Sequence, residues 1–559
     1  MSYKHLKKYN RILVVISCAG LVVIFNNMSY LMAQSSRLVN SVGKIMPIDA
    51  APLDKQIIRY MSPEPRSLDS SINDYDTEDT IIPFEPLLRR DPNWHPEPAS
   101  ASSYEASEDG KTWTFHLRPG ARWSDGRPVT AHDFVYSFRR MVDPEEANPY
   151  GFFYYDFKNA QAINRGDIKD LSQLGVRAID ELTLVIETEK AAPYLPFIVS
   201  FGNAFPVPQW QVEKYGIKWT SLENIVSNSG FKLAEWITGS HMTFTPDPMY
   251  NGPHKPYLEK VIHPFRDASA STILAYENNE VDVERLDVTD LARIQNDPNL
   301  APDLTRVPAR ASWYLFFKTE APPFNDVRVR EAFSRAVDRD VICDILLGKT
   351  AVPAYSMIPP EFPEYNGPAL KSYQSYDPER AKALMKDAGY PKGRKFPRQE
   401  LWLRAPNPTI KRVAEAIMAM LNENLGVDVT IRSADRTMYM SNLYNWRMNL
   451  GLIVFYADYL DPRNMLDMIW HSQPQGYGRS DWSRAEFDGL VEQAAAELDP
   501  DTRRELYQQA EEKMVSDYAA GFLFHPVNLE LRKPWLRGTP QNPDGTKGVL
   551  DYTRIYIGK

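Results

Sequence analysis

Between positions 111 and 141 the hydrophobic pattern changes period once. Trp113, Phe115 and Leu117 alternate with Thr114, His116 and Arg118, the two-residue repeat of a strand with one buried face. Pro119-Gly120 breaks the run, Asp125-Gly126 supplies a tight turn, and Thr130 with Asp133 three residues on reads as a capping box opening a helix. Phe134, Phe138, Met141 and Val142 then share one helical face. Taken alone, this unit is scaffold: a strand, a turn and an amphipathic helix.

The same patterns recur along the chain. Residues 56–60 read as a first strand, and Leu182, Leu184 and Ile186 alternate in a later one. Asp326 caps a helix whose stripe is Val329, Ala332, Phe333, Ala336 and Val337; Asp377-Pro378 opens another that Gly389 ends. Residues 410–424 form a third helix, closed near Gly426 and followed by a strand with Val427, Val429 and Ile431 on one face. The stretch 448–456 is almost continuously apolar, as a strand buried on both faces must be, and helices follow over 484–498 and 500–518. Helices alternating with strands predict an α/β fold. Pro206-Val207-Pro208 marks a boundary, and residues 35–54 are a polar spacer.

With 559 residues, 43% of them hydrophobic, the chain can bury a large core in two or three domains. The formal net charge is −9, and the basic residues Lys4, Lys7, Lys8 and Arg11 precede the first acid, so the rest is more acidic still. That balance argues against a nucleic-acid partner. Those basic residues, the apolar run 12–25 and Ala33 read as an export signal, with a retained membrane anchor as the alternative. Val15-Ile16-Ser17-Cys18 resembles a lipidation box, but its apolar run follows the cysteine instead of preceding it. Only Cys18 and Cys343 are present, which leaves no internal disulfide once a signal is removed.

Catalytic motifs are missing from the sequence. Nine histidines lack ligand spacing, and there is no GxSxG, Walker A or GxGxxG stretch. Asp458 and Asp461 are a carboxylate pair of the kind surface turns often carry. Asp458, however, ends a buried strand, which is where α/β sheets place ligands.

The stretch KTWTFHLRPGARWSDGRPVTAHDFVYSFRRM at 111–141, PPFNDVRVREAFSRAVDRD at 322–340, YADYLD at 456–461, and KPW and YTRIY within 533–556 resemble the family 5 solute-binding proteins of ABC importers, the group of oligopeptide and dipeptide receptors. The resemblance implies a two-lobed, three-domain periplasmic binding protein of the large class II, peptide-binding type. It divides the chain into a signal or anchor at 1–33, a spacer at 34–54, a first domain from 55–86, 206–308 and 526–559, a second at 87–205 and a third at 309–525. It also implies an oligopeptide ligand, ABC permease partners, a periplasmic monomer, no catalysis, no cofactor and no metal. Another solute, or a membrane-anchored sensor or enzyme on this scaffold, is the alternative.

By the same resemblance Asp458 meets the peptide's α-amino group, and Phe455 stands where the family has tryptophan, with Tyr459 beside it. Asn73 and Asp74 belong to a loop against the ligand, Tyr150 to a segment near the pocket, and Asn228, Ser229 and Gly230 to a turn completing the first lobe. Positions where relatives hold the ligand carboxylate are Ile410, Leu443 and Leu452 here, so Arg436, or Lys411, Arg412, Arg432 or Arg447, is expected to substitute. Ala311 and Tyr456 occupy the places of a bridge found in some relatives. The expected export signal is tested by N-terminal sequencing of the exported protein: cleavage near Ala33 fits, whereas an intact Met1 in the membrane fraction replaces it with an anchor.

Overall fold

The computed structural model describes residues 38–69, 71–72, 82–266, 273–475, 478–539 and 551–559. Asn73 and Asp74, with the export segment and Cys18, lie outside the described residues.

Two four-stranded sheets occupy the first part of the chain. One runs in the order Ile57–Arg59, Lys260–Pro264, His241–Pro246, Phe231–Ile237; the other is antiparallel, in the order Ala101–Ala106, Thr112–Leu117, Thr183–Glu187, Val176–Ala178. Trp113, Phe115 and Leu117 are buried and their neighbours are not, as the alternation predicts. The helix after them is Ala131–Val142, where the Asp133 carboxylate accepts from the Thr130 N–H at 2.8 Å. Leu182 departs from its expected place: it precedes its strand and is 36% exposed, while Val185 is buried together with Leu184 and Ile186.

The second part is built on a mixed eight-stranded sheet. Its main path is Val283–Leu286, Ala520–Arg532, Ala311–Phe317, Leu450–Tyr456, Gln399–Arg404, Val429–Ala434, and Leu304–Pro308 and Ala351–Pro353 also pair with Ala520–Arg532. Leu450–Tyr456 lies inside this sheet, so both of its faces meet a core. Ile453 and Phe455 pack with Tyr314 and Trp402 on one side, Leu450 and Leu452 with Leu315 and Leu401 on the other. That burial explains the unbroken apolar run. Helices Val327–Arg335, Pro378–Asp387 and Pro408–Leu425 cover the second face, the last ended by Gly426 at φ +72°. The strand after it starts at Val429, two residues later than the apolar pattern suggests, and Val427 is buried ahead of it. Ala311 and Tyr456 are direct cross-strand partners.

Beneath the other face, helix Pro500–Ser516 places Glu511 in the core. One carboxyl oxygen accepts from the Ile358 N–H at 3.1 Å, and the other has no partner among the described residues. Burial pushes its pKa up to about 7 from an ordinary 4.5, and the Ile358 bond offsets this only in part. The folded chain therefore holds this proton more tightly than the unfolded chain does. The stability it contributes is complete below pH 4.5 and is lost as pH rises through about 7. Relative to wild type, Glu511→Gln is expected to gain about 3 kcal/mol between these limits, read from urea unfolding at about pH 4.5 and about pH 8. A difference between the two proteins that does not change with pH would contradict the assignment.

Candidate functional site

A cavity of about 640 Å³ opens where the two parts of the fold meet, within the size range of small-ligand sites. Its walls come from the first part (Phe84, Trp94, Gly230), from the second (Tyr456, Ala457), and from the strands and turns that connect them, which supply Arg285, Arg310 and Leu529.

Asp458 follows this wall by one residue. It is half-buried, and its conformation is fixed from both sides. Its N–H donates to Asn464 Oδ1 at 2.7 Å, Asn464 Nδ2 donates to its carboxylate at 2.9 Å, and Arg90 of the first part donates to its main-chain oxygen at 2.8 Å. Strand alternation sends its neighbours different ways. Tyr456 is 49% exposed on the cavity side, whereas Phe455 is buried on the opposite face with the Arg479 guanidinium 5.0 Å from its ring centre. Tyr459 is fully buried and reaches across to pack near Phe153 and Phe197. Burial raises the pKa of its hydroxyl well above the ordinary value, and the hydroxyl oxygen accepts from Arg463 at 3.1 Å.

Asn228 and Ser229 act on the backbone beside the cavity. The Asn228 carboxamide accepts from the Glu85 N–H and donates to the Glu85 carbonyl, both at 2.9 Å, and the Ser229 hydroxyl donates to the carbonyls of Ile82 and Phe231. Gly230 faces the carbonyl of His254 so closely that a Cβ would lie 2.8 Å from it. Ser229 and Gly230 reach the cavity wall. Glu85 is held from its other end by Arg118 at 2.6 Å, which ties the 111–141 unit to the same wall. Tyr150 packs among the rings of Phe152, Phe153 and Phe201 and is 6% exposed, away from the cavity lining.

The basic groups are arranged differently from the sequence expectation. Leu443 and Leu452 are core residues, and Ile410 is half-buried against the core that holds Leu452. Lys411, Arg412 and Arg447 are exposed, and Arg432 is engaged with Glu400 and the Trp402 ring. Arg436 is exposed where helix Arg436–Tyr444 begins, outside the cavity lining. Arg404 and Arg479, not singled out in the sequence, lie outside the cavity lining. Arg404 ends the parallel strand Gln399–Arg404, is largely buried, and feels no carboxylate among the described residues strongly enough to offset that burial. Burial lowers its pKa first, and the field of Arg479 lowers it further.

An ion pair joins the two parts directly. Arg463 lies 2.8 Å from Asp156, with the Tyr194 ring 4.5 Å from its guanidinium and Asp467 3.3 Å away. Burial opposes the charge on Arg463, but Asp156 and its neighbours outweigh it and hold the group ionised. Among the described residues no cluster of His, Cys, Asp or Glu is disposed to hold a metal, and no helix is long and apolar enough to cross a membrane.

Two lobes that pinch a cavity and are joined by strands running between them define a binding protein of the large, class II, three-domain type. The family model described as "Bacterial extracellular solute-binding proteins, family 5 Middle" matches residues 95–477, and the chain belongs to that family. It is 31% identical over 498 residues to the periplasmic oligopeptide-binding protein OppA of Salmonella typhimurium, covering 87% of this chain and 90% of that one. It is also 31% identical over 507 residues to the probable deoxycholate-binding periplasmic protein YgiS of Escherichia coli, covering 89% and 93%. The structure of Haemophilus influenzae OppA in complex with the peptide RPPGFSPFR superposes with a TM-score of 0.75 at 27% identity, covering 91% of this chain and all of that one.

Asp156→Asn removes the charge that pairs with Arg463 across the lobes while leaving Asp467 in place. Both groups of the pair are partly exposed, so a modest effect is expected, a shift of up to about fivefold toward the open form. Small-angle scattering should report a larger radius of gyration for the variant than for wild type. Superimposable curves would show that the pair does not hold the lobes together.

Proposed function

We propose that this protein is the extracytoplasmic binding component of an ABC importer, which closes its lobes on an oligopeptide and delivers it, unaltered, to a membrane permease. In this reading it works in the periplasm as a monomer. The first lobe comprises residues 55–308 and 526–559, with 87–205 as its smaller domain, and residues 309–525 form the second. Few chain crossings between the lobes favour rigid-body closure.

The observation that carries the reading is Asp458. It stands at the carboxyl end of a central strand, beside the interlobe cavity, in a conformation set by Asn464 and Arg90. A carboxylate so placed suits the α-ammonium of a peptide whose backbone is read by main-chain hydrogen bonds, a mode indifferent to side chain. The cations in the cavity wall, among them Arg90, Arg285 and Arg310, also favour a second reading, an amphipathic carboxylate such as the one named for YgiS. Deoxycholate has no ammonium group, so Asp458 separates the two.

Calorimetry on a two-by-two set tests this. Free-amine tripeptides should bind wild type and weaken by orders of magnitude in Asp458→Asn, since a buried charge left without its partner costs on the order of 3 to 5 kcal/mol. N-acetylated peptides should bind wild type poorly and lose little more on mutation, which isolates the coupling. Unchanged binding of free-amine peptide to Asp458→Asn would remove the aspartate from the site. Deoxycholate binding better than any peptide would favour the second reading.

A further inference from the structure

The strand Leu304–Pro308 crosses toward the second lobe and turns into Ala311–Phe317 through Arg310, whose backbone is left-handed at φ +45°. Glycine takes that conformation without strain, yet an arginine stands here. Its side chain is in the cavity wall, the residue is only 6% exposed, and its Nε has no partner among the described residues. The fields of Glu361 and Asp91 do not offset the burial that lowers its pKa. The indole of Trp94 lies 4.9 Å from the guanidinium carbon. Trp94 is itself left-handed, at φ +74°, and carries Arg90 at 4.6 Å on the same ring.

Two non-glycine residues in contact, both strained, thus hold a buried cation against an aromatic wall with a second cation beside it. Strain of this kind persists where the surroundings impose it, and such places cluster at ligand clamps. A buried guanidinium whose neighbouring acids do not offset its burial is costly, and a closing cavity that sheds water makes it more so. The Arg310 carbonyl accepts from the Ala457 N–H at 2.9 Å, which puts this residue against the neighbour of Asp458. We infer that Arg310 on Trp94 is an anion subsite at the hinge end of the cavity, selecting ligands that carry a carboxylate close to their amino end. For a peptide, that is an acidic first or second side chain. The assignment rests on the peptide reading above.

The probes are the tripeptide pairs Glu-Ala-Ala with Gln-Ala-Ala and Ala-Glu-Ala with Ala-Gln-Ala, titrated into wild type, Arg310→Gln and Arg310→Lys, each checked for a native melting curve. Wild type should prefer the acidic member of at least one pair by roughly tenfold or more. Arg310→Gln should lose that preference and Arg310→Lys, which keeps the charge, should retain part of it. Equal affinities in wild type, or a preference that survives in Arg310→Gln, would overturn the subsite. If no peptide binds wild type, the peptide reading falls, and free succinate then tests the subsite alone. Thermal stabilisation of wild type but not of Arg310→Gln would uphold it, and no stabilisation of either would end it.

Discussion

A single strand, Ala520–Arg532, couples the two lobes through its hydrogen bonds. Its first half pairs with Ala311–Phe317 and Ala351–Pro353 in the second lobe, and its second half with Val283–Leu286 and Leu304–Pro308, which lead back to the first. Thirteen residues of extended chain span about 40 Å, long enough to run through both cores and beneath the cavity between them. Pro526 sits where the partners change. It lacks an N–H, and its carbonyl accepts from Ala309 at 3.2 Å, so the ladder is interrupted at the crossing and nowhere abandoned. His525 beside it is buried neutral, its pKa pushed down to about 4, and it shares Nδ1 between Ser312 and the Ala311 carbonyl.

Residues 551–559 pair with a segment around residues 49–56. Ala51 donates to Ile557, Lys559 to Asp49, and Gln56 bonds Ile557 in both directions. Asp551 lies buried 2.7 Å from Arg89. Burial alone would raise its pKa, but the Arg89 guanidinium and the hydrogen bonds from Thr553 outweigh that cost and hold the carboxyl down to about 2. Buried pairs of this kind are weak contributors to net stability and are strongly destabilising when broken on one side. Their effect here is to fix the register of a segment distant in sequence against the strand Leu88–Arg90, which carries Arg90 to the cavity.

Local pattern made the helices and strands legible because each is decided by neighbours within a turn or a strand. The stripe Val329 to Val337 and the run ending at Tyr456 appear as read. Contacts between distant segments were less visible. Tyr459 is adjacent to Asp458 in sequence, yet it belongs to the packing of the first lobe, because the turn after the strand carries it across the interface. Asn228 and Ser229 could be singled out by resemblance, but their partners Glu85 and Ile82 lie more than a hundred residues away. Arg310 gave no periodic signal at all, since its character comes from a left-handed backbone and a neighbour on another lobe.

The cross-strand pair of Ala311 and Tyr456 has a consequence for how the chain tolerates its surroundings. By resemblance these positions carry a covalent bridge in some relatives; here a small and a large side chain face each other in an ordinary ladder. Cys343 does not compensate, being 1% exposed with its thiol pushed up to about 12 by burial, so it has almost no thiolate to exchange. Joining of the central strands therefore needs no oxidant and no isomerase, and the described part of the chain should reach and keep its native pairing equally well in reducing and oxidising surroundings.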